Sequence, residues 1–253
     1  MEIIKRPLGL YKANCYVLKK DNQSLIIDPG FHSKHIIEMV GDSKPIAVLL
    51  THGHCDHVSA LDDICGHYNI PAYLHDGDHE LLQLIRRRPS VYKKKMFTQC
   101  IPLQEGILNI GPFHIRVYHT PGHSAGSVCF EIEGHLFTGD TIFKQNVGNS
   151  DNYNGNAEAL RKSLCKIMEL DDALLVEPGH RESTILGDEK NFIKNLHNSV
   201  DKNSDNRYTK QVLWIRPRGV AVNMSPCHGE DRQFKSDRGR HSCLGSSVGR
   251  ATD

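Results

Sequence analysis

No stretch of the chain approaches the ~20 apolar residues that a membrane-crossing helix needs. The opening MEIIKRPLGLYKANCYVLKK has no apolar core of signal-peptide length. These absences point to a soluble protein of the cytoplasm. An excess of one charge is missing as well. The 31 Lys and Arg residues face 30 Asp and Glu, leaving +1, too little to steer the protein toward nucleic acid or an anionic membrane. The eight cysteines form no CxxC pair and no framework spacing, so they read as mostly buried, reduced thiols. No repeat of solenoid period is present. What the chain does have is length for one substantial core, 253 residues at 38% hydrophobic, and an unusual 16 histidines.

Short patterns place the elements. CYVLKK and SLIID, joined through Asp21 and Asn22, read as a hairpin. HSKHIIEMVG has helical spacing and a closing Gly41, and PIAVLLTH is an apolar run of strand length. DHVSALDDICGHY reads as one helix, IPAYLH as a strand and DGDHELLQLIRRR as a helix. Residues 107–139 are β-rich. NAEALRKSLCKIMEL and DEKNFIKNLHNSV are helical, with the strand DALLVEPGH between them. This mixture predicts an α/β protein of two packed sheets with helices outside. Residues 201–253 break the pattern. They carry ten Lys and Arg against six Asp and Glu, and read as a basic tail without order. SSVGRA (246–251) and QFKSD (233–237) can be encoded by strings like the D-arm and T-loop of transfer-RNA genes, so the tail also reads as a frame running into such genes.

Four loops carry the chemistry. THGHCDH (51–57) follows a buried strand and holds His52, His54, Asp56 and His57. HTPGHSAGSV holds His123, FTGDTIF holds Asp140, and VEPGHRES holds His180. A lone HxH is more often an incidental polar turn. Here four strand ends each bring His or Asp beside glycine, and neutral imidazoles with carboxylates suit Zn²⁺ and similar first-row ions. Seven ligands are enough for two metals if one is shared. Cys55 reads as a structural thiol, His119 as packing, and Asp62 and Asp63 as a solvated helix face.

THGHCDH, TPGHSAGSV, TGDTIF and PGH, in this order and spacing, resemble the metallo-β-lactamase superfamily, and within it the small glyoxalase II-type (hydroxyacylglutathione) hydrolases. The resemblance covers roughly residues 1 to 200. It implies a four-layer αββα sandwich over 1–200, with 201–253 outside the domain. It implies two divalent metal ions, Zn²⁺ foremost, with Fe or Mn as alternatives. His52, His54 and His123 would hold one metal, Asp56, His57 and His180 the other, and Asp140 would bridge them, which makes Asp56 and Asp140 the catalytic carboxylates. Asp28 matches a position that orients a ligand. Lys144, Asn149 and Arg181 are the candidate substrate contacts, Asn149 standing where relatives carry Arg or Lys. The implied reaction is hydrolysis of a small acyl thioester, with a small-molecule partner and no nucleic acid or membrane. An iron-dependent persulfide dioxygenase is the rival enzyme, and a metal-bearing redox or nucleic-acid module the non-enzymatic alternative.

Overall fold

Asp21 and Asn22 both take positive φ, 48° and 59°, as a two-residue hairpin turn requires. They join β2 (Ala13–Lys20) to β3 (Gln23–Ile27). In β2, Tyr16 and Leu18 point into one core while Cys15 and Val17 face the other way, and all four are buried. A strand covered on both faces needs a layer on each side of it. The computed structural model describes residues 1–87 and 98–201, with backbone alone for 194–201.

The first sheet runs β1 (Glu2–Leu8), β2, β3, β4 (Lys44–Leu49), β5 (Ala72–His75) and β6 (Cys100–Leu103) in spatial order. It is antiparallel up to β3 and parallel from there on. Parallel neighbours need crossovers, supplied by α1 (Ser33–Val40), α2 (Cys55–Val58), α3 (Leu61–Tyr68) and α4 (His79–Arg86). The second sheet contains β7 (Gly106–Ile110), β8 (Phe113–His119), β9 (Val128–Ile132) and β10 (His135–Gly139), all antiparallel. After the small hairpin of β11 (Ile142–Phe143) and β12 (Asn146–Val147), α5 (Ala157–Ile167) carries the chain to β13 (Leu175–Pro178), which lies parallel to β10. The edge strand β14 (Thr184–Ile185) and α6 (Leu186–Asp201) complete the domain.

Between the sheets, Tyr16, Leu25, Ile27 and Leu49 meet Phe113, Val117, Phe130 and Phe137. Tyr16 and Phe137 cross edge to face at 5.1 Å, worth about 0.5–1.5 kcal/mol beyond the area they bury. A second core lies where Leu160, Leu164 and Ile167 of α5 cover Cys129, Leu136 and Val176 on the outer face of the second sheet. Helices α1 and α3 pack on β2 and β4. The layers are therefore helix, sheet, sheet, helix.

Three readings change. The helix expected through DHVSALDDICGHY is two helices, because Ala60 N–H turns to the Pro29 carbonyl (2.9 Å) instead of continuing the ladder. Asp62 is not solvated: it holds Arg86 at 2.9 Å, with both side chains nearly buried, and accepts from Thr98 N–H at 2.7 Å. The strand β1 and the short strands β6, β11, β12 and β14 carry no clear alternation and went unpredicted. Residues 202–253, with the expected basic tail, lie outside the described residues. Among the described residues no helix is long and apolar enough to cross a membrane.

Candidate metal centre

Strand β4 ends at Leu49, and the extended residues after it set His52 and His54 two apart, the spacing that sends both side chains one way. His54 is still extended (ψ 149°) as it opens α2, so Asp56 and His57 fall in that helix's first turn. From the second sheet come His123 in the β8–β9 loop, Asp140 just past β10 and His180 just past β13. Backbone bonds tie the sheets at this end, Val128 N–H to the Thr51 carbonyl (2.8 Å) and Asn14 N–H to Gly179 (2.7 Å), while Gly179 N–H to Gly139 (2.8 Å) joins two loops of the second sheet. All seven expected ligands meet there.

Hydrogen bonds set the imidazole tautomers. His123 Nδ1 donates to the Asn149 carbonyl (2.7 Å), His180 Nδ1 to the Tyr11 carbonyl (3.1 Å) and His57 Nδ1 to Asp28 Oδ2 (2.9 Å). Thr51 Oγ1 donates to Asp28 Oδ2 (2.6 Å), so it accepts from His52 Nδ1 at 3.0 Å. In the neutral ring each bond leaves Nε2 with its lone pair, and these nitrogens converge. His57 and His180 Nε2 are 3.4 Å apart, and His123 Nε2 lies 2.8 Å from His54 Nδ1. His52 Nε2 and Asp140 Oδ1 are buried without a hydrogen-bond partner. Lone pairs aimed at one another at such distances fit a cation between them.

Two triads bring their ligand atoms within 4.8 Å of one another: His52, His54 and His123; and Asp56, His57 and His180. Asp140 faces both, with Oδ2 3.5 Å from His123 Nε2 and from His180 Nε2, and Oδ1 3.5 Å from His57 Nε2. Asp28, His52 and His57 also cluster. Asp28, however, is already taken: Oδ1 accepts Thr51 N–H at 2.8 Å, and Oδ2 accepts Thr51 Oγ1 and His57. It orients the ligands, as the resemblance implies.

Charge follows geometry. Burial opposes a positive His57, yet Asp140, Asp56 and Asp28 together push it up to about 9. Burial opposes it at His180 too, where Asp140 and Asp56 push the ring up to about 11. At His52 burial wins, and with His57 and His54 nearby it holds the ring well below the usual histidine range. Burial raises Asp56 and Asp140, but the neighbouring histidines hold both below the usual carboxylate range. The centre thus draws in positive charge. His57 is fully buried, whereas the side chains of Asp140 and His180 are 12% and 21% exposed.

The candidate substrate contacts sit differently from the ligands. Lys144 is paired with Glu182 at 3.2 Å, both exposed. Arg181 is exposed beside His180 with φ 69°. Asn149 turns its side chain to Asp151 N–H (3.1 Å), and it is its backbone carbonyl that serves the site, through His123. Sequence reasoning missed Asn14 and Tyr16, which hold the Pro178 carbonyl at 2.9 and 2.7 Å, and Asp78, a buried carboxylate behind the first triad. Their partners lie far off in the chain, and only the polar residue in a strand of buried neighbours, Asn14, leaves a readable trace.

A family model described as the Metallo-beta-lactamase superfamily matches residues 8–180. The probable metallo-hydrolase YqgX of Bacillus subtilis is 35% identical over 190 residues, covering 71% of this chain and 90% of its own. The hydroxyacylglutathione hydrolase GloC of Haemophilus influenzae is 31% identical over 202 residues, covering 75% of this chain and 94% of its own. Among solved structures, the BLEG-1 B3 metallo-beta-lactamase is 34% identical, with a TM-score of 0.68 over 75% of this chain and 97% of that one. TTHA1623, crystallised in a di-iron-bound form, is 32% identical, with a TM-score of 0.67 over 74% and 96%.

Proposed function

Because the chain belongs to the metallo-β-lactamase superfamily, we propose that it is a hydrolase using two divalent metal ions, Zn²⁺ or Fe²⁺, to cleave a small acyl thioester of the hydroxyacylglutathione kind. One observation carries the reading: ligand-type atoms with lone pairs fixed by hydrogen bonds converge as two triads with Asp140 between them. When bound, the metals supply Lewis acidity and lower the pKa of water from 15.7 to about 7. The chain's own part is orientation. Asn149, Tyr11 and Thr51 hold the rings of His123, His180 and His52, Asp28 holds His57, and Asp140 links the halves.

The leaving group favours a thioester. A thiol of pKa ~8.5 departs as thiolate unaided, whereas an amine needs a proton donor. Lys144, a candidate donor in these loops, is engaged by Glu182. The name of the Haemophilus relative supports the same substrate class, while the lactamase structure names one rival and the persulfide dioxygenase is the other. The test is thiol release from a panel of acyl thioesters by metal-loaded protein, with a chromogenic β-lactam and oxygen uptake on glutathione persulfide in parallel. Thiol release is expected. Turnover of the lactam alone, or oxygen uptake alone, overturns the thioester reading.

A further inference from the structure

Asp78 ends the 3-10 turn Asp76–Asp78 that leads into α4, and it is fully buried. Four donors surround its carboxylate. Oδ2 accepts from Gly53 N–H (2.8 Å) and Ser124 Oγ (2.6 Å), and Oδ1 from Gly126 N–H (2.8 Å) and Asn154 Nδ2 (2.9 Å). Gly53 lies between His52 and His54, and Ser124 follows His123, so each histidine of the first triad is one residue from a bond to Asp78. The approach is built for backbone alone. A Cβ on Gly126 would stand 2.6 Å from Asp78 N, and one on Gly53 3.1 Å from Asp78 Cβ.

From this geometry we propose that Asp78 is the positioning residue of the three-histidine half, fixing the loops of both sheets so that His52, His54 and His123 face one metal ion. Asp78 touches no ligand atom and acts through the backbone of the ligand loops. In Asp78→Asn, an amide NH₂ replaces one acceptor oxygen and opposes a donor, either Gly53 N–H or Gly126 N–H, whichever way it is turned. The inference rests on the reading of the metal centre above, and its test separates the two.

The full chain carrying His180→Ala keeps the first triad intact, and Zn²⁺ affinity is measured by competition with a chromogenic chelator. Adding Asp78→Asn is expected to weaken Zn²⁺ by about 10–100-fold, the usual effect of losing an outer partner of metal ligands. Asp62→Asn on the same background is the control. It breaks the buried ion pair with Arg86, which shares no residue with the triad, and is expected to lower the melting temperature with Zn²⁺ affinity unchanged. Unchanged affinity in Asp78→Asn overturns the inference and leaves the centre standing. Absence of Zn²⁺ binding in wild type and His180→Ala alike overturns both. If Asp78→Asn does not fold, Ser124→Ala decides, since it removes one donor: a severalfold loss supports the role, and wild-type affinity overturns it.

Discussion

Gly179 shows how closely the centre is built. A Cβ there would stand 2.3 Å from Asp140 Oδ1 and 2.8 Å from His57 Cε1, so any side chain displaces the carboxylate that faces both triads. Gly179→Ala is expected to lose at least one metal and to destabilise the protein by about 1–3 kcal/mol, as overpacking does. Elemental analysis with a thermal melt checks it, and full metal content would show that Asp140 tolerates the shift. At this scale the residues that converge were legible in the sequence. His52, His54, His123, Asp140 and His180 stand beside glycine past strand ends, with Asp56 and His57 following in the same short string as the first two. The orienting partners were not. Asp28 entered through family likeness, while Asn14 and Asp78 act on loops 25 or more residues away in the chain. Asn149 was read as a missing cationic contact, and its service to the site runs through a backbone carbonyl that any residue has.

Among the elements, α5 has its start tied to the site. Asn156 caps it, its side chain accepting Ala159 N–H at 2.9 Å while its own N–H donates to the Gly122 carbonyl at 2.8 Å. Gly122, next to His123, takes φ 140° and lies against Leu160 of the same helix, where a Cβ would stand 2.2 Å from the Leu160 nitrogen. Asn156→Ala removes the side-chain cap and keeps the backbone bond. It is expected to cost about 1 kcal/mol, roughly 2–4 °C in a domain of this size, with metal content unchanged. Loss of metal would mean that the cap itself positions His123. Long periodic helices such as α5 and the Asp21–Asn22 hairpin were legible, since period and turn chemistry are local. The break between α2 and α3 was not, because it depends on the Pro29 carbonyl, 31 residues before Ala60. The small hairpin and the edge strand β14, two residues to a strand, are too short for alternation to register.

In the whole molecule, the two sheets share one core, and the ligands come from both: His52, His54, Asp56 and His57 from the first, His123, Asp140 and His180 from the second. Bound metal therefore cross-links the sandwich. Ligand at 1,000 times its Kd stabilises the folded state by about 4.1 kcal/mol, so chelation is expected to lower the melting temperature by roughly 8–16 °C. A melt unmoved by chelator would place the metals outside the folding unit. The layered architecture was legible because buried strands alternate with amphipathic helices. The most direct test of the two-metal centre is elemental analysis of the purified chain after loading with Zn²⁺ or Fe²⁺ and removal of excess metal. Two metal ions per chain are expected, falling to one in His180→Ala. One metal per chain in the wild type would contradict the dinuclear centre.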